Sequence, residues 1–373
     1  ELYNLITLLK PGQLKTYHYF KRTFVKDRAG MEAKNVDKLR SLLSQVMIRN
    51  KRSDVDIRFT KRRALTSYVS LSAPEQALHD QLSAYIRRSY QNPDFALTRF
   101  TLKNLQEEMG SSFDALAPTL DKIVHNDRLS ETDRRILMKY RRDAETIARE
   151  YRNSNPKALQ LLKILSEFND KMIVFTKYQA TQAFLTDFLR DRGFLVAEFG
   201  GSMRRSQKEE QISLFRDKAR ILVSTESGGE GRNLQFCNGM VNYDLPWNPM
   251  AIEQRIGRIH RIGQMRDVYV FNLAAKNTIE YYILDILDRK INMFELVVGE
   301  MDMILGDIQD EGDFSDIVMD AWINAGDDES IQEEMNKIGD RLAENKQRYL
   351  RGKELDDSIF GDSLTVKDEK GEQ

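Results

Sequence analysis

Between Lys171 and Leu273 five short apolar runs follow one another: KMIVFT (171–176), Phe194–Phe199, ARILVS (219–224), Met240–Tyr243 and VYVFNL (268–273). They are too short for stable helices and lack polar alternation, so each is expected to be a strand buried on both faces. Amphipathic segments lie between them, at Lys157–Asn169, Gln179–Arg192, Arg204–Phe215 and Pro249–Ile262. This alternation predicts an α/β fold, a parallel sheet with helices on both faces. Ligands of such sheets collect at the carboxyl ends of the strands. The loops Thr176–Gln179, Gly200–Ser202 and Ser224–Leu234 are therefore candidate ligand-facing segments.

The remainder of the 373 residues is mostly helical in pattern. Residues 1–60 are punctuated at Pro11-Gly12 and Ala29-Gly30; a β-leaning stretch, Leu65–Leu71, follows Lys61-Arg62-Arg63. Ser72 or Ala73 can cap a helix with Pro74 in its first turn. Residues 74–92 and 99–150 are spaced as helices, and Ser130–Arg152 is charged enough to be a long exposed one. A helix over Thr278–Val298 presents Ile279, Ile283, Ile286, Leu287, Ile291 and Phe294 as one stripe. The last fifteen residues are too polar to form a core. The divisions expected are 1–64, 65–152 (β-stretch and helical insert), 153–276 (the sheet lobe), 277–305 (a brace helix) and 306–373 (an acidic tail).

Net charge is −1, but residues 301–373 hold 21 acidic and 8 basic side chains against 37 and 49 in residues 1–300. A basic body with an acidic tail suits a phosphate backbone, although charges also simply solvate helix faces. No apolar run approaches the roughly 18 residues that a membrane helix needs. The single Cys237 excludes an internal disulfide and fits a reducing compartment. His18, His79, His125 and His260 show no metal-ligand spacing, so no metal site is expected.

QRIGRIHRIGQ (254–264) divides by face when wound at about 100° per residue. Gln254, Arg258 and Arg261 share one side, and Ile252, Ile256 and Ile259 the other. Asn248 is a suitable N-cap, and Pro249 fits the first helical position. One face can anchor in a core while the other offers two guanidiniums, whose mutual repulsion a triphosphate would relieve bidentately. The glycine-rich loop Ser224–Leu234 would expose backbone amides, but it lacks a Lys-Ser/Thr ending, and no G-x-x-x-x-G-K-[ST] run occurs in the chain. Asp310-Glu311-Gly312-Asp313 reads as tail acidity, since no buried strand leads into it.

The run STESGGEGRNLQFCNGMVNYDLPWNP (224–249) leading into QRIGRIHRIGQ resembles the second motor lobe of the SWI/SNF-family ATPases of helicase superfamily two. Thr225, Gly228, Gly229, Gly231, Asn233 and Leu234 match that family's motif V. Gln254, Arg258, His260, Arg261, Ile262, Gly263 and Gln264 match motif VI, and KMIVFTKY matches motif IV. Gly201-Ser202 matches the next motif, with Gly200 where Asp is common. ELYNLITLLKPG (1–12) resembles the close of the first lobe, and MIRNKRSDV (47–55) the connector between lobes.

The resemblance implies a RecA-like lobe, with a helical insert and C-terminal helices, that closes over ATP and Mg2+ held mainly by an upstream first lobe. Arg258 and Arg261 would be arginine fingers. Gln254, Gly228, Gly229, Gly231 and Asn233 would lie at the nucleotide or between lobes. Thr176, Lys177, Gly201, Ser202, Ser224, Thr225, Arg232 and Trp247 would lie along double-stranded DNA, with Arg204 and Arg205 adding charge; Trp247 is equally a candidate core residue. The expected activity is DNA-dependent ATP hydrolysis driving translocation and remodelling of protein–DNA complexes, in the cytoplasm or on a bacterial nucleoid. The chain would be inactive alone, its Walker A and B elements lying upstream of Glu1. Alternatives are a lobe of an RNA helicase, whose motif VI typically reads HRIGRTGR, or a non-catalytic scaffold docking RNA polymerase or another DNA-bound protein.

Overall fold

In a computed structural model of the protein, the residues described are 2–26, 33–43, 45–46, 60–92, 95–225, 234–261, 263–296, 300–309 and 312–360. They form two compact units, 1–58 with 343–373, and 59–342. In the smaller unit, helices α1 (Leu2–Leu9), α2 (Tyr17–Phe24) and α3 (Val36–Leu43) enclose Ile6, Leu14, Phe24, Leu39 and Leu43. The Thr16 hydroxyl caps α2 by accepting from the Tyr19 amide. The connector resemblance at 47–55 falls outside the described residues, as do residues 361–373.

The larger unit is built on a six-stranded sheet, every pairing of which is parallel. Its strands are β1 (Arg62–Val69), β2 (Met172–Thr176), β3 (Val196–Phe199), β4 (Ile221–Thr225), β5 (Gly239–Asn242) and β6 (Val268–Ala275), in the spatial order β1-β6-β5-β2-β4-β3. Successive side chains of a strand point to opposite faces, and both faces are apolar here. Met172, Val174, Ile221, Val223 and Val241 pack under α8 (Pro156–Glu167) and α9 (Gln179–Arg190). Ile173, Phe175, Leu222, Met240, Val268 and Val270 join a larger cluster on the other face, with α10 (Arg205–Asp217) and α11 (Pro249–Ile256). That cluster also takes in the insert helices α4 (Ala73–Tyr90), α5 (Arg99–Ser111), α6 (Phe113–Val124) and α7 (Glu131–Glu150). The fold is the RecA-like α/β lobe, with insert and C-terminal helices.

Four features depart from the sequence reading. The β-stretch near residue 65 is an edge strand of the lobe's own sheet: β1 runs parallel to β6 from Arg62 beside Val268 to Val69 beside Ala275. The helix expected over Thr278–Val298 is broken. It runs as α12 (Ile279–Asp285), widens to a π-turn over Ile286–Lys290, and stops where Asn292 takes a left-handed φ of 44°. The acidic tail has a buried side, because Ile304 and Leu305 of α13 (Glu300–Gln309), Phe314, Val318, Met319 and Trp322 of α14 (Phe314–Asn324) and Ile331, Met335 and Leu342 of α15 (Asp328–Phe360) lie in the core. Helix α7 is likewise amphipathic, burying Leu137, Tyr140, Ala144 and Ile147.

Two buried features hold these layers. The Lys157 ammonium of α8 donates to the Gly110 carbonyl at 2.6 Å and pairs with Glu280 of α12 at 3.3 Å. Burial raises the Glu280 carboxyl to about 7 despite the lysine. A methyl on Gly110 would sit 2.8 Å from that carboxyl carbon. Gly239, at the start of β5, is in a similar position: a Cβ there would lie 2.4 Å from the Phe168 ring and 3.1 Å from the Lys171 carbonyl. The Phe168 ring is itself held edge-on by Phe271. Gly239→Ala is therefore expected to cost about 1–3 kcal/mol by overpacking, read as a lower denaturant midpoint at unchanged slope. A midpoint equal to wild type would show that the ring moves aside freely.

Candidate functional site

At the carboxyl ends of the strands the polar residues are organised around Asp244, which follows β5 and is buried. Its carboxylate accepts from the Thr176 hydroxyl at 2.5 Å, the Lys177 amide at 2.9 Å and the Ser111 hydroxyl at 2.6 Å, and pairs with Arg255 at 3.4 Å. The same arginine donates to the Asn242 side chain at 3.1 Å and the Asp244 carbonyl at 2.8 Å. Asn242 in turn donates to Asn272 of β6 at 2.8 Å. On the other side Ser111 and Ser112 both meet the Thr181 hydroxyl of α9, at 2.8 and 2.7 Å. One chain of hydrogen bonds thus ties β6, β5, α11, β2, α5 and α9 together beneath the loops.

Helix α11 starts as its sequence predicts, with the Asn248 side chain accepting from the Met250 amide and Pro249 in the first turn. It ends at Ile256, six residues before the expected Ile262. Gly257 is a weak helix former, and the chain beyond it tightens into i→i+3 bonds, Arg258 to Arg255 and Ile259 to Ile256, both 3.1 Å. The division of faces survives this change. Ile252, Ile256 and Ile259 are fully buried, Arg258 is half-buried, and Gln254 and Arg261 are exposed. Among the described residues the Arg258 side chain meets no hydrogen-bond or ion-pair partner, and Arg261 uses only its Nε, donating to the Gly257 carbonyl at 2.7 Å. Cations suit this position, since a helix C-terminus carries partial negative charge.

The turn is closed from below. Gly263 adopts φ of 98°, a left-handed conformation that glycine takes without strain, and this directs Gln264 inward. The buried Gln264 amide donates to the carbonyls of Ile259, Gln235 and Cys237, at 2.9, 3.0 and 3.2 Å. Cys237 is itself fully buried, which pushes its thiol up to about 12.

Of the expected DNA-facing residues, Lys177, Gly201 and Ser202 stand exposed on the rim, with Arg204 and Arg205 beside them. Lys177 is not unopposed: its ammonium pairs with Glu107 of α5. Three expectations are corrected. The Thr176 hydroxyl is fully buried and donates to Asp244. Ser224 is buried, its hydroxyl donating to the Thr225 carbonyl. Trp247 is 3 % exposed in the main hydrophobic cluster and belongs to the core. Thr225 is also buried, and its hydroxyl meets no partner among the described residues. Gly228, Gly229, Gly231, Arg232 and Asn233 lie outside the described residues.

Sequence reasoning missed Asp244 as a hub and Arg255 as its counter-ion. The available signal was Arg255 beside Ile252 and Ile256, a charge close to the buried stripe. It also missed Arg62, which is buried beside the arginine turn. Among the described residues no group of three His, Cys, Asp or Glu could hold a metal ion, and no helix is long and apolar enough to cross a membrane.

A six-stranded parallel sheet with helices on both faces, with an arginine turn beside the amino-terminal starts of β1 and β6, is a RecA-like lobe. Residues 156–263 match the family described as helicase conserved C-terminal domain, and residues 1–139 match the SNF2-related domain. The chain belongs to the SNF2-related, SWI/SNF-type family of helicase superfamily two. It is 40% identical over 352 residues to the Bacillus subtilis protein named uncharacterized ATP-dependent helicase YqhH, covering 93% of this chain and 60% of that one. It is 35% identical over 138 residues to the RNA polymerase-associated protein RapA of Vibrio campbellii, covering 36% of this chain and 14% of that protein. The chain thus spans about 60% of the first relative's length and far less of the second's. Among solved structures, a Sulfolobus solfataricus SWI2/SNF2 ATPase core in complex with dsDNA is similar at 20% identity and a TM-score of 0.44, over 85% of this chain and 61% of that one.

His260, inside the arginine turn, accepts from Arg62 at Nδ1 and donates to the Thr60 carbonyl through Nε2, each at 2.9 Å. Burial first, with the Arg62 charge adding, lowers its pKa below the usual 6.5, while the Thr60 bond opposes them. An unfolded chain then binds this proton more readily than the folded one. The stability is fully present above pH 6.5 and is lost as pH falls below it. Wild type is expected to lose stability relative to His260→Gln between pH 7.5 and 5.5. A constant difference across that range in denaturant titrations would contradict the neutral assignment.

Proposed function

We propose that residues 59–342 are the C-terminal motor lobe of a DNA-dependent ATPase that translocates on double-stranded DNA and remodels protein–DNA complexes. The observation that carries this reading is the arginine turn: Ile256 and Ile259 are anchored at zero exposure while Arg258 has no described partner and Arg261 is exposed. A half-buried guanidinium without a counter-ion is costly unless an anion arrives. A nucleotide triphosphate held by another lobe is such an anion. Arg258 and Arg261 would then stabilise charge developing on the transferred phosphoryl only when the lobes close. Gln254, exposed on the same side, would touch the nucleotide or the facing lobe. Gly228, Gly229, Gly231 and Asn233 are assigned the same surroundings by family resemblance. ATP phosphates and Mg2+ are assigned mainly to a first lobe carrying Walker A and B elements.

DNA contact is assigned to the rim of Lys177, Gly201, Ser202, Arg204 and Arg205, and Arg232 is assigned to it by family resemblance. Contacts of this kind neutralise phosphates and carry little base information. The similarity to the RNA polymerase-associated RapA supports an RNA polymerase partner, the basis of the rival reading as a docking scaffold, and a bacterial cytoplasmic or nucleoid setting goes with the DNA-motor reading.

In a longer protein that includes the first lobe, Arg258→Ala and Arg261→Ala are each expected to lower duplex-stimulated ATP turnover by roughly 10³-fold, with ATP binding largely kept. Near-normal turnover in both would favour the scaffold. Residues 1–373 alone are expected to hydrolyse no ATP, and clear turnover would overturn the division of labour between lobes.

A further inference from the structure

Arg62 opens edge strand β1, remote in sequence from the arginine turn, yet its side chain is only 4% exposed and reaches both sides of that turn. Its Nε–H donates to His260 Nδ1 at 2.9 Å. Its Nη1 meets both carboxylate oxygens of Glu253 at 3.2 Å and donates to the Leu296 carbonyl at 2.9 Å. Glu253, on α11, precedes Arg258 in sequence, and His260 lies between Arg258 and Arg261. The regular helix has already ended at Ile256, so residues 257–261 are held by short turns. Buried Ile256 and Ile259 set how deep the turn sits. Apolar contacts are weakly directional, and leave its rotation to the polar anchors.

We propose that Arg62 is a positioning residue for Arg258 and Arg261, holding the arginine turn to β1 through Glu253 and His260. The proposal rests on the reading of Arg258 and Arg261 as arginine fingers. A salt bridge to Glu253 alone would be structural. What distinguishes this arrangement is that one planar guanidinium grips two residues that bracket Arg258. It also selects the Nε2–H tautomer of His260, because an Nδ1 that accepts cannot carry the proton. Lysine cannot reproduce this: an ammonium is a point charge without the rigid fork of donors.

The test uses the full-length protein with Arg62→Met, Arg62→Lys and, as a control on the finger reading, Arg258→Ala. Readouts are kcat and KM for ATP with duplex DNA, thermal melting, and the ring 15N shifts of His260. In Arg62→Met, kcat measured well below the melting temperature is expected to fall about 10- to 100-fold, as for a misplaced catalytic group, with KM near wild type and melting lowered because Glu253 is left buried without its partner. The Nε2–H tautomer of His260 is expected to lose its dominance. Arg62→Lys is expected to show the same kcat loss in milder form, and it carries the test if Arg62→Met fails to fold. Wild-type kcat in a folded Arg62 variant, beside an inactive Arg258→Ala, would overturn positioning alone. An unchanged His260 tautomer in Arg62→Met would overturn the link through that ring. Normal turnover in Arg258→Ala would instead overturn the finger reading itself.

Discussion

The buried carboxylate of Asp244 is the constraint on which the lobe depends. An ionised group removed from water is tolerated only when paired and fully hydrogen-bonded, and here the partners come from β2, α5 and α11. Each partner is thereby fixed. The Thr176–Lys177 backbone is drawn under the sheet edge, the insert is held against the lobe through Ser111, and α11 is locked by Arg255 to β5. Removing one member would leave the others buried and unmatched, so the network acts as a unit. The insert is consequently part of the RecA-like lobe, and Glu107, which faces Lys177, arrives with it.

The same economy explains why so many expected ligand-facing hydroxyls turn inward. Thr176 and Ser224 stand at carboxyl ends of central strands, where backbone direction carries them beneath the loops. Their hydroxyls satisfy internal acceptors at Asp244 and Thr225. The exposed rim is left to Lys177, Gly201, Ser202, Arg204 and Arg205. Glycine at position 200 belongs to this economy too, because a Cβ there would press on the Gln182 amide at 3.1 Å, an amide engaged with the Val223 carbonyl.

The central sheet was legible because its strands are continuously apolar, and the faces of α11 because isoleucines recur at helical spacing. Where local pattern competes with long-range pairing it reads less well. Strand β1 carries polar residues at its start and joins the sheet only by pairing with β6, some two hundred residues later, so its membership leaves no local trace. The end of α11 was overrun because the period of the isoleucines continues through Gly257 while the regular i→i+4 ladder gives way to i→i+3 bonds at Arg258 and Ile259. The burial of Arg62, Asp244 and Arg255 left no mark in the sequence, since burial of a charge is decided by a partner that spacing does not reveal. The π-turn at Ile286–Lys290 is of the same kind: the apolar stripe persists across a ladder that has slipped by one bond.

Neutral His260 completes the electrostatic argument. Arg62, Arg258 and Arg261 already place three guanidiniums along one short stretch of structure, and among the described residues only Arg62 of these has a carboxylate partner, Glu253. A fourth cation at His260 would face Arg62 directly, across the 2.9 Å bond that now joins them. Keeping the ring neutral turns that neighbour from a repelling charge into an acceptor, and the Thr60 carbonyl fixes the remaining ring proton. The positive charge of the turn is therefore concentrated on Arg258 and Arg261, the two guanidiniums directed away from the core. That distribution suits the proposed site, whose counter-ion would be brought by another lobe.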